Sequence, residues 1–143
     1  MPSAGEGAVA RGAQVVCDAS ALVAALLDDG GAGGFVAGEL MRSAIAAPAL
    51  CPFETANIIR RLERSGEIGA DVAAQAIADL LDLPIEWWPF HLLSERVWEL
   101  RANLTSYDAS YVALAELLDA PLLTLDQRIA RAPGPRCELR LPD

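Results

Sequence analysis

The hydrophobic pattern changes repeatedly between a period of two and a period of about 3.6, which predicts strands alternating with helices. The predicted strands cover residues 14–17, 46–50, 85–89, 121–125 and 137–141. The predicted helices cover residues 19–27, 33–43, 52–64, 71–83, 92–103, 107–118 and 127–131. This alternation is typical of an α/β fold, so we expect a single domain with a central parallel sheet of four to five strands and helices on both faces.

Two local signals and one helical stripe refine this prediction. Pro48 lies inside the second predicted strand and makes it the weakest of the five, because proline lacks a backbone donor. Ser106 is a good N-cap for the helix that follows it. An apolar stripe along the helix at 71–83 contains Val72, Ala76, Leu80 and Leu83. We expect that stripe to face the core or a partner.

The length and composition fit one folded domain. The chain has 143 residues, of which 53% are hydrophobic, and this excludes global disorder. It has no apolar run of the roughly 18 residues that a membrane span needs. Residues 1–13 are small and rich in Gly and Ala and lack the features of a signal peptide. We therefore expect a flexible leader at 1–13, a domain at 14–143 and a cytoplasmic location.

The cysteine and charge content limits the kinds of metal site and binding surface that the chain can have. Three Cys and a single His give no zinc-site spacing, so we expect reduced thiols. The net charge is −9, which argues against nucleic-acid binding through a broad basic surface. All 11 basic residues are Arg, whose planar fork of donors suits phosphate groups.

Four acidic residues occupy positions where a predicted strand gives way to a helix. Asp18 and Asp126 directly follow apolar strands, and an acid there costs desolvation unless it has a partner or a function. Glu54 and Asp108 lie in the first turns of helices that follow strands. Since ligands of parallel sheets bind outside the carboxyl ends of the strands, we expect the four carboxylates to converge there.

Carboxylates packed together repel one another unless a counter-charge is present. The chain has no lysine to supply one, so a divalent cation such as Mg²⁺ is the natural partner. A metal site of this kind fits phosphodiester hydrolysis by a metal-activated water. Structural roles remain open for each residue: Asp18 and Asp126 as N-caps, and Glu54 and Asp108 as partners of helix dipoles.

Four segments of the sequence resemble, in order, the signature motifs of PIN-domain ribonucleases, and more narrowly those of VapC toxins. The segments are residues 16–23 (VCDASALV), 52–60 (PFETANIIR), 104–115 (LTSYDASYVALA) and 122–130 (LLTLDQRIA). The third segment is the most specific of the four. The resemblance covers the chain from about Gln14 to its end.

The resemblance implies a function for these segments. The acidic quartet of such enzymes, here Asp18, Glu54, Asp108 and Asp126, binds Mg²⁺ or Mn²⁺. It also implies Ser20 and Thr124 as polar neighbours of the quartet and Asn57 near the site. The implied activity is endonucleolytic cleavage of structured RNA such as tRNA or rRNA. The implied partners are a VapB-like antitoxin and a second copy of the chain, in a homodimer that forms a heterotetramer or larger assembly with the antitoxin.

Five arginines flank the acidic positions and are candidates for contact with RNA or antitoxin. They are Arg60, Arg61, Arg64, Arg128 and Arg131. A solvated helix face is the competing interpretation for each. Two other kinds of protein are also considered, a metal-binding receiver-like domain and a non-catalytic binding domain. A receiver domain needs an adjacent acid pair after its first strand and a lysine near its last, and the sequence has neither.

Overall fold

The computed structural model describes residues 13–143, and nearly all of the predicted leader therefore lies outside the described residues. The strands are β1 (Gln14–Cys17), β2 (Ala44–Pro48), β3 (Ile85–Trp88), β4 (Leu122–Leu123) and β5 (Leu139–Arg140). The helices are α1 (Ala19–Leu27), α2 (Gly31–Met41), α3 (Cys51–Arg64), α4 (Ala70–Asp82), α5 (Ser94–Glu99), α6 (Ser106–Leu118) and α7 (Gln127–Arg131). A short 3₁₀ helix covers Phe90–Leu92.

The five strands form one parallel sheet in the order β3-β2-β1-β4-β5. The chain moves outward from β1 through β2 to β3, and then returns through α6 to place β4 on the other side of β1. Right-handed crossovers in these two directions put helices on both faces of the sheet. The predicted α/β fold is confirmed, and the strand order reverses between β1 and β4, where such sheets bind ligands.

The main core lies between the sheet and α6. Val15, Val16 and Cys17 of β1 are fully buried, as the central strand of a parallel sheet requires. All residues of α6 from Ala109 to Ala115 are buried, so this helix runs through the interior. Cys17, Cys51 and Cys137 are free thiols; the first two are buried and Cys137 is only partly so.

No single helix within residues 13–143 is long and apolar enough to cross a membrane. By length and composition alone, α1 and α2 taken together would be long and apolar enough, but the two helices are bent by 106° relative to each other.

A smaller apolar cluster joins α3 to α4. It contains Ile59, Ala73 and Ala76, with Ile77 packed against it. Within the predicted stripe, Ala76 and Leu80 face the core, whereas Val72 is 49% exposed because Ala73 takes the inward position in the first turn of α4.

Several boundaries differ from the predictions by one or two residues. The strand predicted at 46–50 lies at Ala44–Pro48, and Pro48 is its last residue. Pairing with β1 has already ended at Ala46, so no hydrogen bond to β1 is lost at the proline. The strands predicted at 121–125 and 137–141 are shorter in the structure, where β4 and β5 have two residues each. β4 pairs with β1 and with β5, and β5 pairs with β4.

The continuous helix predicted at 92–103 was wrong. A 3₁₀ turn follows Pro89, and only Ser94–Glu99 is α-helical. Leu93, Leu100 and Leu104 are all buried, and their spacing matches one face of a single helix, which is why the apolar pattern alone predicted an uninterrupted helix. The N-cap of α6 is Thr105 rather than Ser106, since the Asp108 amide donates to Thr105 Oγ1 at 3.1 Å.

Candidate active site

All four predicted carboxylates line one cavity of about 360 Å³ at the carboxyl ends of β1 and β4. They come from four separate segments, the ends of β1 and β4 and the first turns of α3 and α6. The other lining residues are Ala19, Ser20, Asn57, Ile58, Arg61, Tyr111 and Arg128. The structure therefore brings together acids that are more than a hundred positions apart in sequence.

Asp18 is the most buried of the four carboxylates, with 4% of its surface exposed. It is also the N-cap of α1, because the Ala21 amide donates to its Oδ1 at 2.9 Å. Burial raises the pKa of Asp18 to about 6, although hydrogen bonds from Ser20, Thr124 and Ala21 oppose the rise. Asp18 therefore has the capping role considered from the sequence, and it also lines the cavity.

Ser20 and Thr124 hold Asp18 and connect the two strand ends. Ser20 Oγ donates to Asp18 Oδ1 at 2.6 Å and accepts from the Leu125 amide at 3.0 Å. The fully buried Thr124 hydroxyl donates to Asp18 Oδ2 and accepts from the Asp126 amide at 2.9 Å. The two hydroxyls therefore lock the segment after β1 to the segment after β4.

Asp126 faces Arg128 in a two-pronged ion pair. Arg128 Nε and Nη2 donate to the two carboxylate oxygens at 3.1 and 2.7 Å. Asp126 also caps α7, accepting from the Arg128 amide at 2.9 Å. These bonds lower the pKa of Asp126.

Glu54 is held by Tyr111, whose hydroxyl donates to Glu54 Oε1 at 2.6 Å. Tyr111 is 1% exposed, and burial raises the pKa of its hydroxyl, so it stays a donor. The sequence interpretation missed Tyr111 because an aromatic residue in an apolar helix suggests packing alone. Its spacing of three residues after Asp108, which puts both on one helix face, was the available signal.

Tyr111→Phe removes only this hydroxyl, and we expect it to free the Glu54 carboxylate to rotate. Groups that orient a ligand in this way are typically worth about 10–100-fold in metal affinity or activity. For the ribonuclease activity that the sequence resemblance implies, we therefore expect RNA cleavage to fall by that factor while the melting temperature changes by only a few degrees. The control is Tyr107→Phe, at an exposed tyrosine in the same helix. Equal activity of Tyr111→Phe and the parent would contradict the orienting role.

The cavity carries an excess of negative charge. Partial burial and the charge of Asp126 raise the pKa of Asp108, with Arg128 acting in the opposite direction. Burial, together with the nearby Asp108, raises the pKa of Glu54 despite the Tyr111 bond. Three of the four carboxylates thus hold their protons more tightly than usual, as expected for acids sharing one site.

The shifted pKa of Asp18 predicts how stability depends on pH in the absence of metal. Between its usual value of 3.8 and about 6, Asp18 is protonated in the folded state but ionised in the unfolded chain. Stability from this group is therefore present at acidic pH and is lost as pH rises through that window. We expect the protein in EDTA to be about 1 kcal/mol less stable at pH 7.5 than at pH 5 because of Asp18.

Thermal melts at the two pH values measure this effect, and Asp18→Asn is the control. Asp126 and Glu116 contribute little between these two pH values, because the pKa of each is lowered and both groups titrate below this window. The variant should show a smaller loss of melting temperature between pH 5 and pH 7.5 than the parent. An equal loss in both proteins would show that Asp18 is not the titrating group.

As placed, no three Asp, Glu, His or Cys side chains among residues 13–143 are grouped closely enough to hold one ion. The oxygens of two of the acids are also engaged, since Ser20 and Thr124 bind both oxygens of Asp18 and Arg128 binds both oxygens of Asp126. A hydrated ion needs only one or two direct carboxylates, and the others can bind through water. The donor set therefore suits such an ion, and closer coordination would need Arg128 to move.

The five predicted arginine contacts separate into three groups. Arg61 and Arg128 line the cavity with Asn57, and Arg61 and Asn57 are both exposed. Arg60 instead lines an apolar groove between α3 and α4. Arg64 and Arg131 line neither cavity.

A larger cavity of about 660 Å³ lies away from these acids, beside α5, α6 and the segment before β5. The charged side chains Arg96 and Glu116 in its wall are already paired with each other. Arg96 Nε donates to Glu116 Oε1 at 2.7 Å, and the Arg136 amide donates to Glu116 Oε2 at 2.7 Å. These bonds fasten the C-terminal segment to α6, so we assign this region a structural role.

Comparison with known proteins identifies the family and supports the fold. The family model described as PIN domain matches residues 15–135. Ribonuclease VapC1 of Mycobacterium tuberculosis is 43% identical over 129 residues, covering 90% of this chain and 97% of that protein. Ribonuclease VapC9 of the same organism is 41% identical over 125 residues, covering 87% and 95%. The chain therefore belongs to the PIN domain family.

Solved structures agree on the architecture. VapBC2 from Rickettsia felis, bound to a DNA fragment from its promoter, matches with a TM-score of 0.65 at 14% identity, over 91% of this chain and 99% of that one. Mycobacterium tuberculosis VapC20, a sarcin-ricin loop cleaving toxin, matches with a TM-score of 0.61 at 17% identity, over 81% and 92%. Within the family, the sequence relatives place the chain among the VapC ribonucleases. The receiver-like and non-catalytic alternatives are set aside.

Proposed function

We propose that the chain is a divalent-metal-dependent endoribonuclease that hydrolyses RNA phosphodiester bonds at the cavity of Asp18, Glu54, Asp108 and Asp126. The observation that carries this proposal is the convergence of these four carboxylates, from four separate segments, on one cavity. Membership of the VapC ribonucleases supports RNA as the substrate. We assign catalytic and metal-binding roles to the four acids on these grounds.

The donor set favours Mg²⁺, with Mn²⁺ as a substitute. All four groups offer carboxylate oxygens, which these hard cations prefer, and the chain has no lysine to neutralise them instead. When bound, the ion would lower the pKa of a coordinated water and stabilise charge on the scissile phosphate. Raised pKa values at Asp18, Glu54 and Asp108 indicate charge that a cation would relieve.

The chain's own residues position the carboxylates and the RNA. Ser20 and Thr124 fix Asp18, and Tyr111 fixes Glu54. Arg61 lies in the cavity wall and suits the phosphate backbone, since guanidinium groups bind phosphate with two parallel hydrogen bonds. Arg128 also lies there, and it would bind phosphate in this way on leaving its ion pair with Asp126. Such local contacts are needed because the net charge of −9 gives no general attraction for RNA.

The proposed substrate is structured RNA, such as tRNA or rRNA, and the proposed partner is a VapB-like antitoxin. VapC20 is described as cleaving the sarcin-ricin loop, and VapBC2 as bound to promoter DNA. An acidic cavity on an acidic chain is complementary to a basic segment of such an antitoxin. We further propose a homodimer in the cytoplasm, which joins the antitoxin in a heterotetramer or larger assembly.

Metal removal tests the proposed activity. Purified protein is incubated with tRNA and rRNA in Mn²⁺ or Mg²⁺, in EDTA, and in EDTA followed by excess metal. We expect site-specific cleavage with metal, loss in EDTA and recovery on addition of metal. A melting-temperature rise with Mn²⁺ at pH 7.5 would report binding independently of cleavage. Undiminished cleavage in EDTA would refute the metal-dependent mechanism.

A further inference from the structure

A second, smaller cavity of about 170 Å³ opens on the same edge of the sheet as the acidic cavity. It is formed by the ends of β2 and β3, the turns that follow them and the first turn of α6. Its lining residues are Pro48, Ala49, Leu50, Trp88, Phe90, Leu93, Ser106, Tyr107 and Ser110. Nothing in the acidic site described above uses these side chains.

The lining favours a flat, uncharged ligand. It contains no charged side chain and three aromatic ones, of which Phe90 is 59% and Tyr107 62% exposed. The Trp88 indole N–H is already engaged by Glu86 Oε1 at 2.6 Å, so its polar edge is satisfied. Exposing such rings to water is costly unless a ligand covers them. With no cationic group in its wall, the cavity does not suit phosphate.

The size of the cavity limits the ligand to about one ring system. Pockets for drug-sized molecules usually exceed about 300 Å³, and this one is well below that. Nucleobases of unpaired RNA are flat, largely uncharged at their faces and commonly stacked on Phe, Tyr or Trp.

The cavity adjoins the acidic site through two shared elements. Tyr107 immediately precedes Asp108 in the first turn of α6, and the Ser110 hydroxyl fixes that turn by donating to the Tyr107 carbonyl at 2.6 Å. Leu50 is the N-cap of α3, the helix that carries Glu54. The two cavities therefore share α3 and α6 and open at the same edge of the sheet.

We propose that this cavity is a subsite for one unpaired nucleobase of the RNA substrate, held by stacking on Tyr107 and Phe90. The proposal rests on the proposed ribonuclease function and adds a determinant of which nucleotide is placed beside the carboxylates. Because the rings touch a base rather than the reacting atoms, they act in binding and positioning. Structured RNA would be cut where a loop presents an unstacked base.

The test compares Tyr107→Ala and Phe90→Ala with two controls. Tyr107→Phe keeps the ring, and Trp98→Ala removes a similarly exposed aromatic residue outside the cavity, 64% exposed on α5. Binding of a fluorescent single-stranded RNA is measured in EDTA by anisotropy, and kcat and KM are measured with metal. We expect about tenfold weaker binding and a raised KM for each alanine variant, with kcat within about twofold of the parent. Both controls should match the parent.

An RNA with an abasic nucleotide beside the cleavage site completes the test. If the base occupies the cavity, the abasic RNA should bind the parent and Tyr107→Ala equally weakly. Parent-like RNA binding and KM in both alanine variants would overturn the subsite while leaving the ribonuclease function intact, because the parent still cuts RNA. Loss of self-association in gel filtration without a change in RNA binding would overturn it in favour of an interface between copies. Absence of cleavage by the parent with metal would instead refute the ribonuclease function.

Discussion

Asp18→Asn should reduce RNA cleavage by at least about 100-fold and leave the protein folded. The substitution removes the charge of the most buried carboxylate in the cavity while keeping its shape. The amide oxygen of asparagine can still accept from the Ala21 amide, so the cap of α1 is retained. In the proposed mechanism Asp18 helps to hold the metal, whose loss would remove several kcal/mol of transition-state stabilisation, and each 1.36 kcal/mol corresponds to about a tenfold change in rate.

Cleavage of tRNA and rRNA under single-turnover conditions measures this loss, and circular dichroism with a thermal melt checks the fold. Asp82→Asn is the matched control, because Asp82 is exposed at the end of α4 and outside the cavity. The control should cut RNA at the parental rate. A folded Asp18→Asn protein with parental activity would remove the acidic cavity from the mechanism.

Gly33→Ala should destabilise the protein by about 1–3 kcal/mol or more, the range typical of overpacked sites. A Cβ at this position would lie 1.8 Å from the Asp28 carbonyl oxygen and 2.6 Å from that of Ala24. Both are backbone atoms at the end of α1, so they cannot rotate away. Avoiding the clash requires α2 to move relative to α1, the helix that Asp18 caps.

The neighbouring Gly34→Ala is a close control for this prediction. Gly34 lies in the same helix, and a Cβ there meets nothing within 4 Å. Alanine favours helix by up to about 1 kcal/mol over glycine, so Gly34→Ala should raise the melting temperature slightly. Gly33→Ala should lower it by roughly 2–10 °C for a chain of this size. Equal melting temperatures for the two variants would contradict the close packing at Gly33.

The sequence predicted the order and kind of most elements, because their signals are local. The run from Gln14 to Cys17 and the helix starting at Ala19 were predicted with the bounds that the structure has. The prediction of one helix over 92–103 was wrong because apolar spacing alone does not show where a helix is interrupted. The apolar residues of a 3₁₀ turn and a short α-helix can follow the same spacing as those of one long helix. The cap at Thr105 was missed because two adjacent hydroxyl residues compete, although Asp108 lies three residues after Thr105 in a capping-box spacing.

The sequence predicted the four acids of the acidic cavity, but it did not predict how their side chains are arranged. Parallel strands end at one edge, so Asp18 and Asp126 had to be near each other once both were placed after strands. The partners of these acids depend on side-chain contacts between distant segments. Tyr111 beside Glu54 is an example, because the two residues are 57 positions apart. Arg128 is only two residues from Asp126, but the sequence suggested it as a contact for RNA or antitoxin and not as the partner of that acid.

Asp18 serves both as the cap of α1 and as a wall of the acidic cavity, and this has a consequence for how inactivating mutations affect the amount of protein in a cell. An allele with a small apolar residue at this position would lose the cap and the bonds from Ser20 and Thr124 together. Cellular proteases would then lower its abundance. An allele altered at Asp108 would leave the cap of α1 and the bonds from Ser20 and Thr124 in place, so under the proposed function a full-length protein that does not cut RNA would accumulate.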